Sequence, residues 1–560
     1  VISIESQDGR DIMSKKGIHL QKWTTFLVAL LLLGCNQPEA DTKSEKRFGQ
    51  SPPTFQAATR QQAGDRLFQN ERVKHLSLRF SENDVSLLEQ EHRPYVRADF
   101  SDGAISIYSV GIKLKGAAGS YQLLSGKPGF TVKFDKFRKK QTLDQLDKIH
   151  LNNSVQDGTY LCEWLGAEVF RLANYPSPRV SHALLKWNEQ SEAMYVIREA
   201  YDKSFLRRYY SNTDGNLYDG GFLQDLDADL EKDSGLGVDD RSDLRAIVAA
   251  LNNTDANVRY REMEKRIDLE RFVTFMALER MLCHWDGYSE NANNYRVYIH
   301  PDTGLAIFFP HGMDQLMGDP NMPLFDFPSP RVSSQVMGCD KWRARYRNRV
   351  KELLPLFDPS NDLIQKLDKI ATVLRVSLEE LGNEPLQQFE SQLEELKNRI
   401  VERVNAIKEQ LAQDEEQAIE LAIGKSAELK DWFPQCDSEE MAIHPGNEST
   451  AEPLQLSIDS EPGYASWRHR LCLRQGTYRI EGKYRTEGVQ PIDDLSVDSI
   501  GIGHSRDERW SRPESDDWQD FSSTILIVED RFVVEVIVGL RAKHGMMQVD
   551  RSSFRISRID

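Results

Sequence analysis

The chain has 560 residues, of which 71 are basic and 88 acidic, giving a formal net charge of −17. A balance this acidic excludes a general nucleic-acid binder, which needs basic surface to neutralise phosphates. The 39% of hydrophobic residues excludes wholesale disorder, and six cysteines in this length exclude a disulfide scaffold.

Val1 opens the chain and a Met follows at position 13, which reads as either an alternative start codon or a start placed too early. Lys15, Lys16 and Lys22 precede Phe26–Leu33, an unbroken apolar run of eight. That is far short of the roughly 20 residues a membrane-spanning helix needs, but it suits a signal-peptide core. The run ends in Leu32-Leu33-Gly34-Cys35, which resembles a bacterial lipobox with Cys35 as the lipidated residue. Residues 1–35 are therefore expected to be a start region and lipoprotein signal peptide. The protein would then be exported and held at the bacterial cell envelope, facing the periplasm or exterior, on a membrane by its lipid alone. Residues 36–65, rich in Gln, Pro, Ser, Thr and charge, read as a flexible tether.

From Val73 the segments VKHLSLRF, YVRADF, ISIYSVGIKLKG and FTVKFDKF alternate with period two and predict strands. Leu161–Leu172 has a helical apolar face. ALLKW and AMYVI predict strands, Asp202–Tyr210 and Asp268–Cys283 helices, and NYRVYI and LAIFF two strands across a Pro-Asp-Thr-Gly turn. Residues 361–415 are helical, with Leu393, Leu396, Ile400, Val404, Ile407 and Leu411 spaced 3, 4, 4, 3, 4 along one face. From Trp432 onward, LQLSID, TYRIEGKYR, DSIGIGH, STILIV, FVVEVIVGLRA and SSFRISRI predict a β-sandwich in which Cys436 and Cys472 could pair. The expected divisions after the tether are 66–358, a helical segment 359–430 packed on or linking the domains, and a sandwich 431–560.

Chemistry concentrates in residues 284–318. His284, Asp286 and Asn291 reproduce the spacing H-x-D-x-x-x-x-N, and Asp314 follows the hairpin. Phosphoryl transfer needs such a set: a carboxylate at the nucleophile, and amide and carboxylate oxygens on Mg²⁺. A second chemistry is a metal-dependent hydrolase, with Cys283, His284, Asp286, His300, His311 and Asp314 as ligand types.

This segment resembles the signature of the spore-coat-protein-H-like (CotH) kinase family. The likeness extends backward through VGIKLKGAAGSYQLLSGKPGFTVKF, then IHLNNSVQDGTYLCEWLGAEVFRLANYPSPRVSHALLKWN, then AMYVIREAYDKSFLRRYY with GNLYDGG, over roughly residues 72–355. The resemblance implies an α+β, two-lobed, atypical protein-kinase-like domain that uses ATP and Mg²⁺ to phosphorylate Ser or Thr hydroxyls of a protein acceptor. It implies Asp286 at the acceptor hydroxyl, and Asp314 with Asn291 or Asn294 on the metal. A lysine on the phosphates would be Lys115, Lys127 or Lys133, the last sitting best inside a strand, with Glu163 or Glu168 as its partner. The loop GAAGS would cover phosphates and Glu199 would meet the base. The family's closing motif often carries two acids, and here Gly312 holds the first place. The C-terminal domain resembles carbohydrate-binding modules, with Trp467, Trp510 and Trp518 as candidates to stack on a polysaccharide. The alternative is a non-catalytic surface or carbohydrate-binding protein that keeps the fold.

Replacing Cys35 by Ser should block lipid attachment and leave unprocessed precursor. Metabolic labelling with a fatty acid and membrane fractionation check this, and a mutant that matures like the parent refutes the lipoprotein reading.

Overall fold

The computed structural model describes residues 62–560 except 91, 118, 327, 359–361, 414–418, 437–441, 445–452, 459–462, 491, 493–498 and 504–516. The chain divides into Val1–Gln56 and Ala57–Asp560, and all described residues fall in the second unit. Cys35, the apolar run, nearly all of the tether and Trp510 lie outside the described residues.

The period-two segments close into a barrel. Its strands are β1 (Lys74–Arg79), β2 (Val96–Ser101), β3 (Ser106–Lys115), β4 (Gly129–Lys133), β5 (Lys148–Asn152), β6 (Val180–Trp187) and β7 (Ala193–Glu199), in the order β1-β2-β3-β4-β5-β7-β6. A parallel pairing of β1 with β6, from Lys74 opposite Ala183 to Leu78 opposite Trp187, shuts the ring and removes its free edges. Alternation sends Leu78, Ile112, Leu114, Phe130, Val132, Ile149, Leu151 and Ile197 into the barrel core. The neighbours of these residues on β3, β4, β5 and β7 therefore face outward: Lys115, Thr131, His150, Asn152 and Arg198. On that same outward face, Met194 and Val196 belong to a second, larger core.

Helix α1 (Glu82–Leu88) lies between β1 and β2, and α2 (Cys162–Leu172) and α3 (Lys203–Arg207) flank β6 and β7 in sequence. A four-stranded sheet follows, formed by β8 (Leu217–Asp219), β9 (Lys232–Ser234), β10 (Tyr295–Ile299) and β11 (Ala306–Pro310) in the order β11-β10-β8-β9. Around it stand α4 (Ser242–Leu251), α5 (Ala256–Glu264), α6 (Leu269–Met281), α7 (Tyr288–Asn291), α8 (Arg331–Gly338), α9 (Asp340–Leu353), α10 (Asp362–Leu381) and α11 (Asn383–Ala412). Asp202 caps α3 and Asp268 caps α6 through side-chain bonds to backbone N–H groups of the first turn. The expected helix 202–210 is only five residues long, because Tyr209 and Tyr210 turn into an aromatic cluster with Phe205 and Phe309.

The helices after residue 358 share the core of the preceding part: Leu363, Leu374, Phe389, Leu393, Ile400 and Ile407 belong to the same buried cluster as Leu165, Phe275 and Phe308. Arg403 of α11 shows how tightly. Fully buried, it donates to the carbonyls of Arg280 (2.6 Å) and Met281 (3.2 Å) at the end of α6, and to those of Pro320 (2.8 Å) and Met322 (2.6 Å). It thereby satisfies carbonyls that the end of a helix leaves open.

The C-terminal strands form a separate core. They are β12 (Ser426–Glu428), β13 (Phe433–Cys436), β14 (Ala442–His444), β15 (Leu454–Ile458), β16 (Gly463–Gln490), β17 (Ser499–Gly503), β18 (Gln519–Ala542) and β19 (His544–Arg558). STILIV and FVVEVIVGLRA, expected as two strands, run together in β18, which pairs with β16 across an irregularity at Arg474–Gly476. The suggested Cys436–Cys472 pairing is excluded by register. Cys436 lies opposite Ala465 on β16, seven residues before Cys472. At about 3.3 Å per residue that is roughly 23 Å, against the 4.4–6.8 Å between Cα atoms that a disulfide needs. Trp467, offered as a sugar-stacking residue, is a core residue with its Nε1 donating to the Gln455 carbonyl at 3.3 Å; Trp518 is exposed, beneath the Arg485 guanidinium. This domain meets the rest of its unit where Arg474 pairs with Asp340 at the start of α9 (2.7 Å).

Replacing Arg403 by Ala should cost about 3–5 kcal/mol, because several buried carbonyls lose their donor at once. Arg399→Ala, one turn away on an exposed pair with Glu395, should change stability by less than about 0.5 kcal/mol. Comparison of urea midpoints of the two variants checks this.

Candidate functional site

Helix α6 delivers the first half of the site. It ends at Met281, and Cys283 turns the chain through a left-handed conformation (φ 53°). His284 then folds back beneath the loop, buried, with Nε2 at 3.1 Å from the Gly312 carbonyl and Nδ1 at 3.4 Å from Glu279 Oε1. Burial lowers the His284 pKa, but the Glu279 carboxylate and the Gly312 carbonyl outweigh it and leave it raised. The other Glu279 oxygen accepts from the Ser289 backbone N–H (2.8 Å) and hydroxyl. A buried carboxylate thus holds the loop from both ends.

Asp286 sits at the top of this loop, half-buried. Its Oδ1 accepts from Asn293 (2.9 Å) and its Oδ2 from Asn294 (2.6 Å), whose amide also donates to the Asp286 carbonyl (2.9 Å). Each carboxylate oxygen keeps a lone pair for another donor. Both Nδ2 hydrogens of Asn294 are committed to Asp286, so its Oδ1 is the end that stays available.

That oxygen faces the second half of the site. The His311 backbone N–H donates to the Asn294 carbonyl (2.9 Å), and Gly312 follows with φ +55°. A Cβ on Gly312 would lie 2.3 Å from Asn294 Oδ1 and 2.5 Å from its Cγ, so the place of the family's first acid is filled by the asparagine amide. Asp314, two residues on, is half-buried and has no hydrogen bond or ion pair with any described residue. On its other side lies α2. A Cβ on Gly166 would come within 2.6 Å of Met313 Sδ and 3.0 Å of Leu316 Cδ1, so this turn of α2 packs directly on the 313–316 segment. Asp157 anchors the start of α2 by accepting from the Cys162 N–H (2.9 Å) and from Thr159.

Glu163, on the first turn of α2, is buried. Its Oε1 accepts from Asn152 Nδ2 (2.5 Å), and Asn152 Oδ1 in turn accepts from Lys115 Nζ. Lys115, Glu163, Arg198 and Asp314 act on one another electrostatically. Burial, then Arg198, push the Lys115 ammonium down to about 8 against the pull of Glu163 and Asp314. Burial, reinforced by Asp314, carries the Glu163 carboxyl above the ordinary range against Arg198 and Lys115. His150 and His311 are driven well below the usual imidazole value by burial and by the surrounding cations. Both are therefore neutral.

The structure brings together Lys115, Glu163, Asp286, Asn294 and Asp314, and sets the other expected residues apart. Lys133 pairs with Asp135 at 3.1 Å. Lys127 lies 4.8 Å over the Tyr160 ring and 5.3 Å over Tyr195. Glu168 pairs with Arg171 and Lys366. Asn291, exposed, donates to the Trp285 carbonyl (2.6 Å) and does not touch Asp286. Both oxygens of Glu199 are held by Arg179 and Arg208. In the GAAGS loop Ala117 O accepts from Ser120 and Tyr121, closing a turn; Ala118 is outside the described residues. The ligand set of the hydrolase reading is dispersed. His300 packs on Tyr210 and Tyr298, His311 is bonded to Arg198, and no group of three or more His, Cys, Asp or Glu among the described residues could hold a metal. Sequence reasoning missed Asn152, Asn293 and Arg198. Asn152 stands in the quoted block IHLNN, but nothing local marks it as a bridge between Lys115 and Glu163.

A family model described as CotH kinase protein matches residues 112–416, more than half of the chain and the span that contains the whole cluster. Inner spore coat protein H of Bacillus subtilis (strain 168) is 22% identical over 198 residues, which are 32% of this chain and 53% of that protein. The chain thus spans about half the length of the curated relative it matches. Among solved structures, TmCBM61 in complex with β-1,4-galactotriose aligns with 23% of this chain and 90% of its own (17% identity, TM-score 0.16). The CBM22-1 xylan-binding domain from Paenibacillus barcinonensis Xyn10C aligns with 26% and 99% (10% identity, TM-score 0.17). Scores this low do not define the fold.

Gly312→Asp, which restores the acid at that place, and Gly312→Ala should each destabilise the protein by about 1–3 kcal/mol through overlap with Asn294. Thermal midpoints check this; a Gly312→Asp protein as stable as the parent refutes the tight contact.

Proposed function

Because the chain belongs to the CotH kinase family, we propose that it transfers the γ-phosphoryl group of Mg²⁺–ATP to a Ser or Thr hydroxyl of a protein acceptor. The barrel would serve as one lobe and the helical body as the other. The observation that carries the reading is the placement of Asn294, with its amide hydrogens on Asp286 and its oxygen toward the segment of Asp314. One side chain thereby sets the distance between the proposed acceptor side and the proposed metal side.

The residues present suit a hard cation. Asn294 Oδ1 and the uncommitted Asp314 carboxylate are oxygen donors of the type Mg²⁺ takes, with phosphate oxygens and water completing its shell. Bound there, Mg²⁺ would neutralise charge on the phosphates. Lys115 supplies a cation for the same phosphates, and Asn152 and Glu163 hold its ammonium in place. Asp286 orients the acceptor hydroxyl and takes its proton. The hydroxyl oxygen forms a bond to Pγ as the bond from Pγ to the bridging oxygen breaks, and ADP leaves with that electron pair. His284 and Glu279 hold the loop and touch no substrate.

We place this activity on an exported lipoprotein, supported by the apolar run Phe26–Leu33 ending at Cys35. The C-terminal strands would bind a polysaccharide. The second reading is a surface-binding protein that keeps the fold without catalysis. It is favoured by Gly312, which leaves Asp314 as the single carboxylate of its motif.

Asp314→Ala should lower Mg²⁺-dependent ATP affinity more than about 10-fold, by removing a charged ligand. Asp286→Asn should leave ATP affinity within about 3-fold but slow phosphate transfer to a Ser-rich protein by about 10²–10⁴-fold, since its interaction matters mainly in the transition state. Calorimetry and radiolabelled transfer read the two. A parent that binds Mg²⁺–ATP yet transfers nothing supports the binding-protein reading.

A further inference from the structure

We propose that Arg198 is a second cation for the polyphosphate of a nucleoside triphosphate, standing beside Lys115; this rests on the nucleotide reading above. Arg198 is near the end of β7 and only 2% exposed. Among the described residues its guanidinium makes no ion pair, and its buried Nε has no hydrogen-bond partner. Its one bond runs from Nη2 to His311 Nε2 at 2.8 Å. A guanidinium can only donate, so the ring nitrogen accepts and brings no negative charge. The Tyr201 ring, 5.7 Å away, is likewise uncharged.

Two fully buried arginines show the contrast: Arg280 meets Glu290 and Asp326, and Arg403 meets four carbonyls; half-buried Arg296 meets Asp219 and Asp233. A guanidinium withdrawn from water without such partners costs several kcal/mol. Arg198 is therefore a buried charge with no ion pair of its own: the Glu163 carboxylate attracts it from beyond salt-bridge distance and is shared with Lys115, which leaves room for a further counter-ion.

Its position says what that counter-ion is. Register sets Arg198 opposite His150 on the barrel face that carries Asn152 and Lys115. The bond to His311 ties it to the strand end three residues before Asp314. Lys115 and Asp314 are half-buried, so the cluster reaches solvent on their side. Lys115 and Arg198 balance Glu163 and Asp314 in formal charge. A divalent cation on Asp314 would leave the site positive, as an anionic ligand requires. The planar fork of a guanidinium matches two phosphate oxygens at once, which an ammonium cannot do.

The test uses the full chain with Arg198→Met and Arg198→Lys. It measures binding of ATP, ADP, AMP and adenosine in Mg²⁺, and the melting temperature without nucleotide. Arg198→Met should lower ATP affinity about 10–100-fold, as expected for losing one or two charge-assisted bonds, while adenosine binding stays within about 2-fold. Arg198→Lys should recover part of the ATP affinity. Without nucleotide, Arg198→Met should melt at the parent's temperature or above, because it removes a buried charge that has no ion pair. Equal losses for ATP and adenosine, or a lower melting temperature, would make Arg198 a structural residue and overturn the proposal. Unchanged ATP affinity in Arg198→Met, with a parent that binds ATP, overturns the proposal alone. A parent that binds none of these nucleotides overturns the nucleotide reading and this proposal with it.

Discussion

The Asn294 carboxamide is wedged between Asp286 and the backbone at Gly312, and the geometry of the site depends on that contact. Its two hydrogens leave no freedom to rotate while Asp286 accepts both, and its oxygen rests where a side chain at 312 would otherwise be. The loop after α6 and the segment after β11 therefore cannot move independently. The His284 bond to the Gly312 carbonyl closes the same link from below. The acid that the family's motif often carries at 312 could enter only by displacing the asparagine that holds Asp286.

Around this contact the fold buries far more charge than a stability argument would favour. Glu279, Arg280, Arg403, Glu163 and Arg198 are all nearly or fully buried. Most are satisfied: Glu279 by Ser289 and His284, Arg280 by two carboxylates, Arg403 by the end of α6. Removing a water-exposed ion into the interior costs several kcal/mol, so each of these must be matched bond by bond. What the matching yields is position. Arg403 and Arg280 fix the end of α6, and α6 fixes where the Asp286 loop begins. The α10–α11 helices thus take part in holding the site, although none of the proposed site residues lies on them.

The local elements were legible in the sequence, because their causes are local. Period-two alternation predicts β1 to β4, the caps at Asp202 and Asp268 predict helix starts, and the 3, 4, 4, 3, 4 spacing predicts the buried face of α11. The spacing of His284, Asp286 and Asp314 around a hairpin, together with the three blocks that precede it in order, pointed to the family. Where the sequence misled, a distant partner intervened. The β18 strand runs through Glu529 and Asp530 as one strand, because β16 pairs with it on both sides; the expected turn is reduced to the irregularity opposite Arg474–Gly476. Tyr209 and Tyr210 leave their helix for an aromatic cluster.

The sequence by itself determined the family, the order of the elements and the identities of the proposed catalytic acid and metal ligand, Asp286 and Asp314. Only the tertiary structure decided which lysine and which asparagine stand with them. Lys115, Lys127 and Lys133 are alike as strand-region lysines, and Asn291 and Asn294 are alike as loop amides. Their fates differ because barrel closure and the approach of α2 place one side chain next to Glu163 and another between Asp286 and Gly312. The lysine's contacts join residues 37 to about 200 positions apart, and the asparagine's join residues 8 and 18 apart across a loop and a hairpin; no periodicity along the chain encodes either.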